Sequence, residues 1–431
     1  MRNSDKMRYE EALQYIHSFD KFGIKPGMER ITALCRALGD PQSGMRFIHV
    51  AGTNGKGSTS TMLSNICICA GYRTGLFISP YVLDFRERIQ LNGEMIEKED
   101  LAQIVTEVRS AAQKMQQEGE TPTEFELITA AAFLYYHRKK CDVVVLETGL
   151  GGRLDATNVI GCPLVNVLTS VSFDHMAVLG NTLPEIAREK CGTLKKGGVC
   201  VSYPFQPQQV QDVIAETCAE RNVRLVIPQG DSIRILHEDI YGTHAQIDGL
   251  RLHIPMLGRH MVYNASAAVA AARVLTGRGL PVSDAQIVCG VERTVLPARM
   301  EIVRKHPLVL MDGGHNEDCA RAFRDAVQRF LPNRRIVGVC GLMADKAYAQ
   351  YVSLVAPLFQ SFIAVRPDNP RALSADILCD TAKPYCADCT AAESFSHAAQ
   401  TARRKAGEDG VIAVCGSFYL IHDLRNELQS D

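Results

Sequence analysis

The chain has 431 residues, 46% of them hydrophobic and 22% charged, with a formal net charge of -1. That length exceeds one ordinary core and predicts two or three domains. The near-neutral charge argues against a dedicated nucleic-acid binder, no apolar run is long enough to span a membrane, and the polar start Met1 to Lys6 has no signal-peptide core behind it, so the sequence reads as cytoplasmic.

Taken in order, residues 9–19 and 29–38 have helical spacing, with a Gly- and Pro-containing loop (residues 22–28) between them. A short apolar run, Phe47-Ile48-His49-Val50, leads into Gly52-Thr53-Asn54-Gly55-Lys56-Gly57-Ser58, and a helical pattern follows to about Ala70. Strand, glycine-rich turn and helix N-terminus form the arrangement that holds a polyphosphate: helix N–H groups and dipole favour the anion, and Lys56 adds a point charge. The spacing departs from the usual P-loop, with two residues between the glycines and an extra Gly57 before Ser58. An inert glycine turn is the alternative, but a lysine between glycines has no packing purpose.

A strand is predicted over 73–78, ending at Ser79-Pro80, and Asn92-Gly93 predicts a hairpin turn. Helices follow at about 99–116 and 124–140. Residues 142–147, ending in Glu147, and 164–169, followed by Asp174-His175, are uniformly apolar strands of the kind buried on both faces of a parallel sheet. Thr182-Leu183-Pro184-Glu185 is a capping box and predicts a helix to about Lys196, stopped by Gly197-Gly198. Strand and helix alternate to about Ile227. Three short runs within 233–255 predict a small antiparallel meander, and helices are predicted over 261–275 and 283–291. Beyond Leu296-Pro297-Ala298-Arg299 the pattern restarts, with apolar strands over 308–311, 335–340, 362–365 and 411–415. The fold class is therefore α/β: a P-loop-type, mostly parallel sheet domain with a small antiparallel meander (1–297), followed by a smaller Rossmann-like α/β domain (298–431).

Many of the 15 cysteines sit inside apolar runs, including Cys67, Cys69, Cys141, Cys340 and Cys415, and read as buried small hydrophobes of a reducing compartment. Cys386-Ala387-Asp388-Cys389 is a single C-x-x-C, a weak signal for zinc even with Cys379 and His397 flanking it.

Ligands of open α/β sheets bind beyond the carboxyl ends of the strands. The phosphate loop, Ser79, Glu147 and His175 all fall there. Glu147 resembles the acidic residue that holds magnesium in P-loop enzymes; a carboxylate and a hydroxyl suit that hard cation, while an imidazole is less usual. The bland readings are a solvated strand end for Glu147, an ordinary turn for Ser79 and a structural histidine for His175. A second glycine-rich loop, Thr148 to Asn158, follows Glu147 directly; its glycines admit a ligand, and Arg153 and Asp155 could orient one. In the second domain, Met311-Asp312-Gly313-Gly314-His315-Asn316 also stands at a strand end, where it could face the nucleotide across a cleft.

Both glycine loops, together with Ser172-Phe173-Asp174-His175, Arg188-Glu189-Lys190 and Gly341-Leu342-Met343-Ala344-Asp345-Lys346, resemble the folylpolyglutamate synthases and bifunctional dihydrofolate synthases of the Mur-type amide ligases. The resemblance runs from Phe22-Gly23-Ile24 to Gly416-Ser417-Phe418-Tyr419, and loop 149–158 is specific to the folate branch. It implies ATP held by Gly55, Lys56, Gly57, Ser58, Asn264, Arg299 and Asp312, and Mg2+ ions, expected as two, with Ser79, Glu147 and His175 as ligands. It implies catalytic roles for Lys56, Lys190 and His315, Lys190 carrying a carbamate that helps hold the second magnesium. It places the pterin substrate against Leu154, Asp155 and Ala156, with Arg153, Phe125, the Thr123–Phe125 region and loop 24–28. From the residues alone, Lys190 is an ordinary helix-face lysine.

Two departures stand out. The linker reads Pro297-Ala298-Arg299 where Pro-Gly-Arg is usual, which adds strain if that position needs a positive φ. His315-Asn316-Glu317 replaces the usual His-Asn-Pro, and Gly313-Gly314 replaces a small pair ending in alanine. The implied activity is ATP-dependent ligation of L-glutamate to a reduced folate or to dihydropteroate by a cytoplasmic monomer, with no nucleic-acid or membrane partner. A muramyl-type ligase and a non-enzymatic nucleotide switch are the rivals. Loop 149–158 and the absence of a UDP-binding domain before residue 50 disfavour the first. The second domain and the Lys190 segment would have no role in the other.

Overall fold

The computed structural model describes residues 6–19, 23 and 25–429. Asp20 and Lys21, and Phe22 and Ile24 of the expected loop 22–28, lie outside the described residues. Two compact units divide the chain: Met1–Arg234, Gln246–Leu252 and Tyr263–Thr294 form the first, and Ile235–Ala245, His253–Val262 and Val295–Asp431 form the second. Segments of the meander thus fall in both.

The first unit is built on an eight-stranded sheet. Its order is Glu94–Met95, Ile89–Leu91, Thr74–Phe77, Val143–Glu147, Phe47–Ala51, Val165–Leu168, Val199–Ser202, Arg224–Val226. Only Ile89–Leu91 is reversed, pairing antiparallel with Thr74–Phe77 on one side and Glu94–Met95 on the other. Asn92 (φ 53°) and Gly93 (φ 85°) supply the positive φ values of their two-residue turn. The three central strands are buried at every residue, which is why their sequences carry no alternation. Val144 and Leu146 pack into a core with Ala12, Ile16, Ile31, Leu101, Phe133 and Tyr136 from four helices. Ala51, Leu168, Ile186, Val210 and Ile214 form a separate cluster.

The second sheet has six strands in the order Glu301–Lys305, Leu308–Asp312, Val411–Cys415, Ile336–Cys340, Ser361–Val365, Cys389–Ala392, parallel except for the first. The two edge strands escape the sequence because their residues are mostly half-exposed and neither carries a run of large apolar side chains. The meander strands Ile233–Asp239, Gly242–Ile247 and Leu250–Ile254 pair in sequential order.

Three expectations change. The helix capped by Thr182 ends at Cys191, not near Lys196. The Thr193 and Leu194 amides turn back to the carbonyls of Lys190 and Cys191, so the chain leaves the helix in tighter turns. Cys69 does not stay a free thiol: it is disulfide-bonded to Cys289, and the other 13 cysteines are free. Cys141 is half-buried rather than buried. In the C-x-x-C segment Cys389 opens an edge strand, and the Cys386 thiol lies 3.3 Å from the Phe359 carbonyl oxygen.

Candidate active site

Register fixes the site. Val50 pairs with Glu147 and Ala51 with Leu168, so the phosphate loop emerges between the strand ending in Glu147 and the strand leading to His175. The loop then opens the helix Lys56–Cys69, whose N-cap, Gly55, has φ 83°. A side chain there would be strained, and its Cβ would lie 2.4 Å from Asn264 Oδ1. Gly55 thus lets Asn264 sit directly on the loop.

The loop is tied down on its far side. The Thr53 amide donates to the Ser170 carbonyl (2.7 Å), and Asn54 Nδ2 donates to Ser172 Oγ (3.2 Å). Lys56 Nζ donates to the Thr53 carbonyl at 3.2 Å. Lys190 Nζ donates to the Gly52 carbonyl at 2.7 Å, and its residue is only 3% exposed. Burial, and then the Lys56 ammonium, pull the Lys190 amine down to about 7, against the upward pull of Asp174 and Asp155. The helix-face lysine of the sequence is therefore a buried base beside the phosphate loop. Helical spacing puts Lys190 on the buried stripe with Ile186, Ala187 and Cys191, but the partner of its amine, the Gly52 carbonyl, lies 138 residues away in sequence.

The Ser79 amide donates to Glu147 Oε2 at 3.2 Å, which brings two of the three expected metal ligands together. His175 caps the short helix Met176–Leu179 in a left-handed conformation (φ 48°), with Nε2 3.8 Å from Asp174 Oδ1. Among the described residues no three His, Cys, Asp or Glu side chains converge as a metal cage. Magnesium ordinarily takes one or two carboxylates plus substrate phosphates, so a Glu147–Ser79 corner beside a phosphate loop suits it. The buried hydroxyls of Thr59, in the first turn of the loop helix, and Thr148, next to Glu147, lack a protein partner, as walls of a polar-ligand site would.

The second glycine loop packs against Phe125. A Cβ on Gly149 would lie 2.5 Å from Phe125 Cζ, so only glycine lets the ring sit there. Asp155 is buried and holds the loop together: one carboxylate oxygen accepts from the Leu150 amide (2.8 Å), the other from the Thr157 amide (3.0 Å) and Thr157 Oγ1 (2.5 Å). Thr157 in turn meets His49 Nε2 at 2.9 Å. Burial drives His49 down to about 3, so it stays neutral. Leu154 is half-buried and Ala156 buried. Arg153 is more than half exposed, and Glu189 holds its guanidinium at 2.8 Å.

In the second unit, Asp312 accepts from the Gly314 amide (2.8 Å) and the Met300 amide (3.1 Å). The Arg299 guanidinium lies 4.5 Å from the Phe418 ring centroid, and the His315 ring meets the same Phe418 edge-on at 6.3 Å. His260 lies near Asp312 and Arg299, and its burial lowers its pKa. A cavity of about 770 Å³, lined by Tyr241, Met256, Arg299, Lys305 and Glu408 among others, includes Arg299 but no phosphate-loop residue.

The family described as Mur ligase middle domain matches residues 50–272, and the Mur ligase glutamate ligase domain matches residues 298–418. The dihydrofolate synthase/folylpolyglutamate synthase of Bacillus subtilis is 35% identical over 98% of this chain and 99% of its own. The chain belongs to the folylpolyglutamate synthase branch of the Mur ligases. Folylpolyglutamate synthase of Lacticaseibacillus casei is 33% identical over 85% of this chain and 87% of its own. Among solved structures, Mycobacterium tuberculosis folylpolyglutamate synthase complexed with ADP and AMPPCP superposes with a TM-score of 0.88 at 27% identity, covering 97% of this chain and 98% of that one. Escherichia coli FolC in complex with DHPP and ADP gives 0.85 at 28%, covering 98% and 97%.

Within this folate-branch ligase, the sequence reading missed the device that holds loop 25–28. Arg30 pairs with the buried Glu126 at 3.1 Å and also donates to the Lys25 carbonyl, anchoring residues 25–28 to the helix Glu124–Arg138. The only sequence signal was Thr123-x-x-Glu126 itself: a capping box whose glutamate does double service, accepting from the Thr123 amide at 2.7 Å.

Proposed function

We propose that this chain joins L-glutamate to folates in an ATP-dependent reaction, with dihydropteroate as a further acceptor. The observation that carries this reading is the packing of Phe125 on Gly149. It supports a pterin site beginning two residues after Glu147, whose partner strand runs directly into the phosphate loop.

Phosphoryl transfer asks for positioning and charge stabilisation rather than covalent help from the protein. The loop amides and Lys56 hold the ATP phosphates, and Asn264 orients the nucleotide at Gly55. A carboxylate oxygen of the folate attacks the γ-phosphorus, and ADP leaves with the electrons of the broken P–O bond. The amine of glutamate then attacks the acyl carbon, phosphate departs, and the nitrogen loses its proton. Ser79, Glu147 and His175 would hold Mg2+, which when bound neutralises phosphate oxygens. Arg299 and Asp312 contribute to nucleotide binding and His315 to catalysis. Leu154, Asp155, Ala156 and Phe125 line the pterin side, with Asp155 acting as the loop's internal brace. Arg153, with Glu189, closes the loop's outer edge.

Lys190 is the strongest case for a modified side chain. An amine with a pKa near 7 is substantially neutral under ordinary conditions, and only the neutral amine adds to CO2. The resulting carbamate is an anion beside Lys56, suited to a second Mg2+. The reading also includes a cytoplasmic monomer. No helix among the described residues is long and apolar enough to cross a membrane.

Removing one preorganised stabiliser typically lowers the rate by about 10²–10³. Lys56→Ala should therefore cut folate- and glutamate-dependent ADP release by that factor. Activity within a few-fold of wild type would overturn the assignment. Comparing ADP release with dihydropteroate and with tetrahydrofolate, each with glutamate, tests whether both acceptors are used.

A further inference from the structure

The loop helix Lys56–Cys69 ends at a cysteine that the nucleotide reading does not use. Cys69 faces Cys289 of the helix Asp284–Glu292 with a Cα–Cα distance of 6.3 Å, inside the range that a disulfide spans without moving the backbone. The approach is built into the packing. Gly290, next to Cys289, has no Cβ; one would lie 2.4 Å from the Ile66 backbone. Asn65 Nδ2 donates to Thr294 Oγ1 at 2.9 Å, tying the loop helix to the chain just beyond the end of its neighbour.

The chemistry at this pair differs from that of the thiols buried in the core. Both residues are half-buried, within reach of a small reagent. Arg293 places Nη1 3.9 Å from Cys69 Sγ, where its charge stabilises a thiolate. Burial instead pushes the Cys35, Cys67 and Cys191 thiols up to about 12, which keeps them protonated and inert.

We propose that Cys69 and Cys289 form a redox-modification site, closed by exchange with a low-molecular-weight disulfide of the glutathione class and opened by thiols. The Cys69 thiolate attacks one sulfur of the reagent, forming a mixed disulfide and expelling one thiolate. Cys289, deprotonated, then attacks Cys69 Sγ and expels the second. The two protein thiols lose two electrons and two protons, and the reagent disulfide becomes two thiols. The bond clamps the far end of the phosphate-loop helix onto its neighbour. A helix of that length separates the bond from Lys56 by roughly 20 Å. The modification therefore acts on stability and leaves phosphate binding alone.

The test uses the full chain equilibrated against graded ratios of reduced to oxidised glutathione, then alkylated and digested without reductant. The expected product is a cross-linked peptide pair containing Cys69 and Cys289, two hydrogens lighter than the separate peptides and reversed by dithiothreitol. The oxidised chain should melt about 5 °C above the reduced one, with KM for ATP unchanged within twofold. Cys69→Ser and Cys289→Ser should each abolish the melting difference. Alkylation of both thiols at every glutathione ratio, with no cross-linked peptide, would overturn the proposal. So would a melting gap that persists in both serine variants. The peptide readout needs only the wild-type chain, so it stands if a serine variant fails to fold.

Discussion

At the residue scale, two positions turn local backbone and burial into measurable behaviour. Ala298 is fully buried with φ 57°, the left-handed region that the usual glycine would occupy without strain. That conformation costs an alanine about 1–2 kcal/mol. Changing it to glycine relieves that, but loses a buried methyl worth about 0.8 kcal/mol and adds unfolded-chain entropy of about 0.4–1 kcal/mol. The effects offset, so Ala298→Gly should leave urea stability unchanged within about 1 kcal/mol, whereas the β-branched Ala298→Val should lose more than about 2 kcal/mol. A large loss in the glycine variant would contradict the backbone assignment. Lys190 gives a pH signature. Its folded pKa, about 7, lies below the ordinary lysine value of 10.5. Between those values the unfolded chain binds more protons, so this group's contribution to stability rises with pH across that window and its full penalty is felt below 7. Carbamate formation runs the same way. Activity should climb from pH 6 to 8 and respond to added bicarbonate, and Lys190→Met should remove the bicarbonate response and at least about 10²-fold of the rate.

At the element scale, the loop after Glu147 works because it is braced from three sides: Asp155 inside, Phe125 over Gly149, and Arg153–Glu189 at the rim. A methyl at residue 149 would displace the Phe125 ring. Gly149→Ala should therefore lower kcat/KM for the folate by about 10–100-fold, the range for a misplacement near 1 Å. Its KM for ATP should stay near wild type, since the phosphate loop is a separate element; steady-state kinetics with each substrate varied would show the split. The elements themselves were mostly legible. The apolar strands, the Thr182 capping box and the Asn92-Gly93 turn each carry a local signal. The edge strands Glu301–Lys305 and Cys389–Ala392 were not, because half-exposed strands at a sheet edge lack a continuous apolar run.

At the scale of the whole molecule, the chain carries two α/β sheets, with the Mur ligase middle-domain match followed by the glutamate ligase match. With a formal charge of -1 and a mass of 47.4 kDa, a monomer predicts a single sedimenting species of that mass at micromolar concentration. A species of twice the mass would refute it. What the sequence determined by itself were the features written in contiguous residues: two glycine loops, the strand ending in Glu147, and the α/β alternation. What only the tertiary structure decided were the properties set by residues distant in the chain. Burial, and then the Lys56 ammonium, pulled the Lys190 amine down, Arg30 reached Glu126 to anchor a loop, and Cys69 met Cys289 across 220 residues. Backbone preference and apolar period are local and can be read along the chain; desolvation and proximity exist only once the chain has folded.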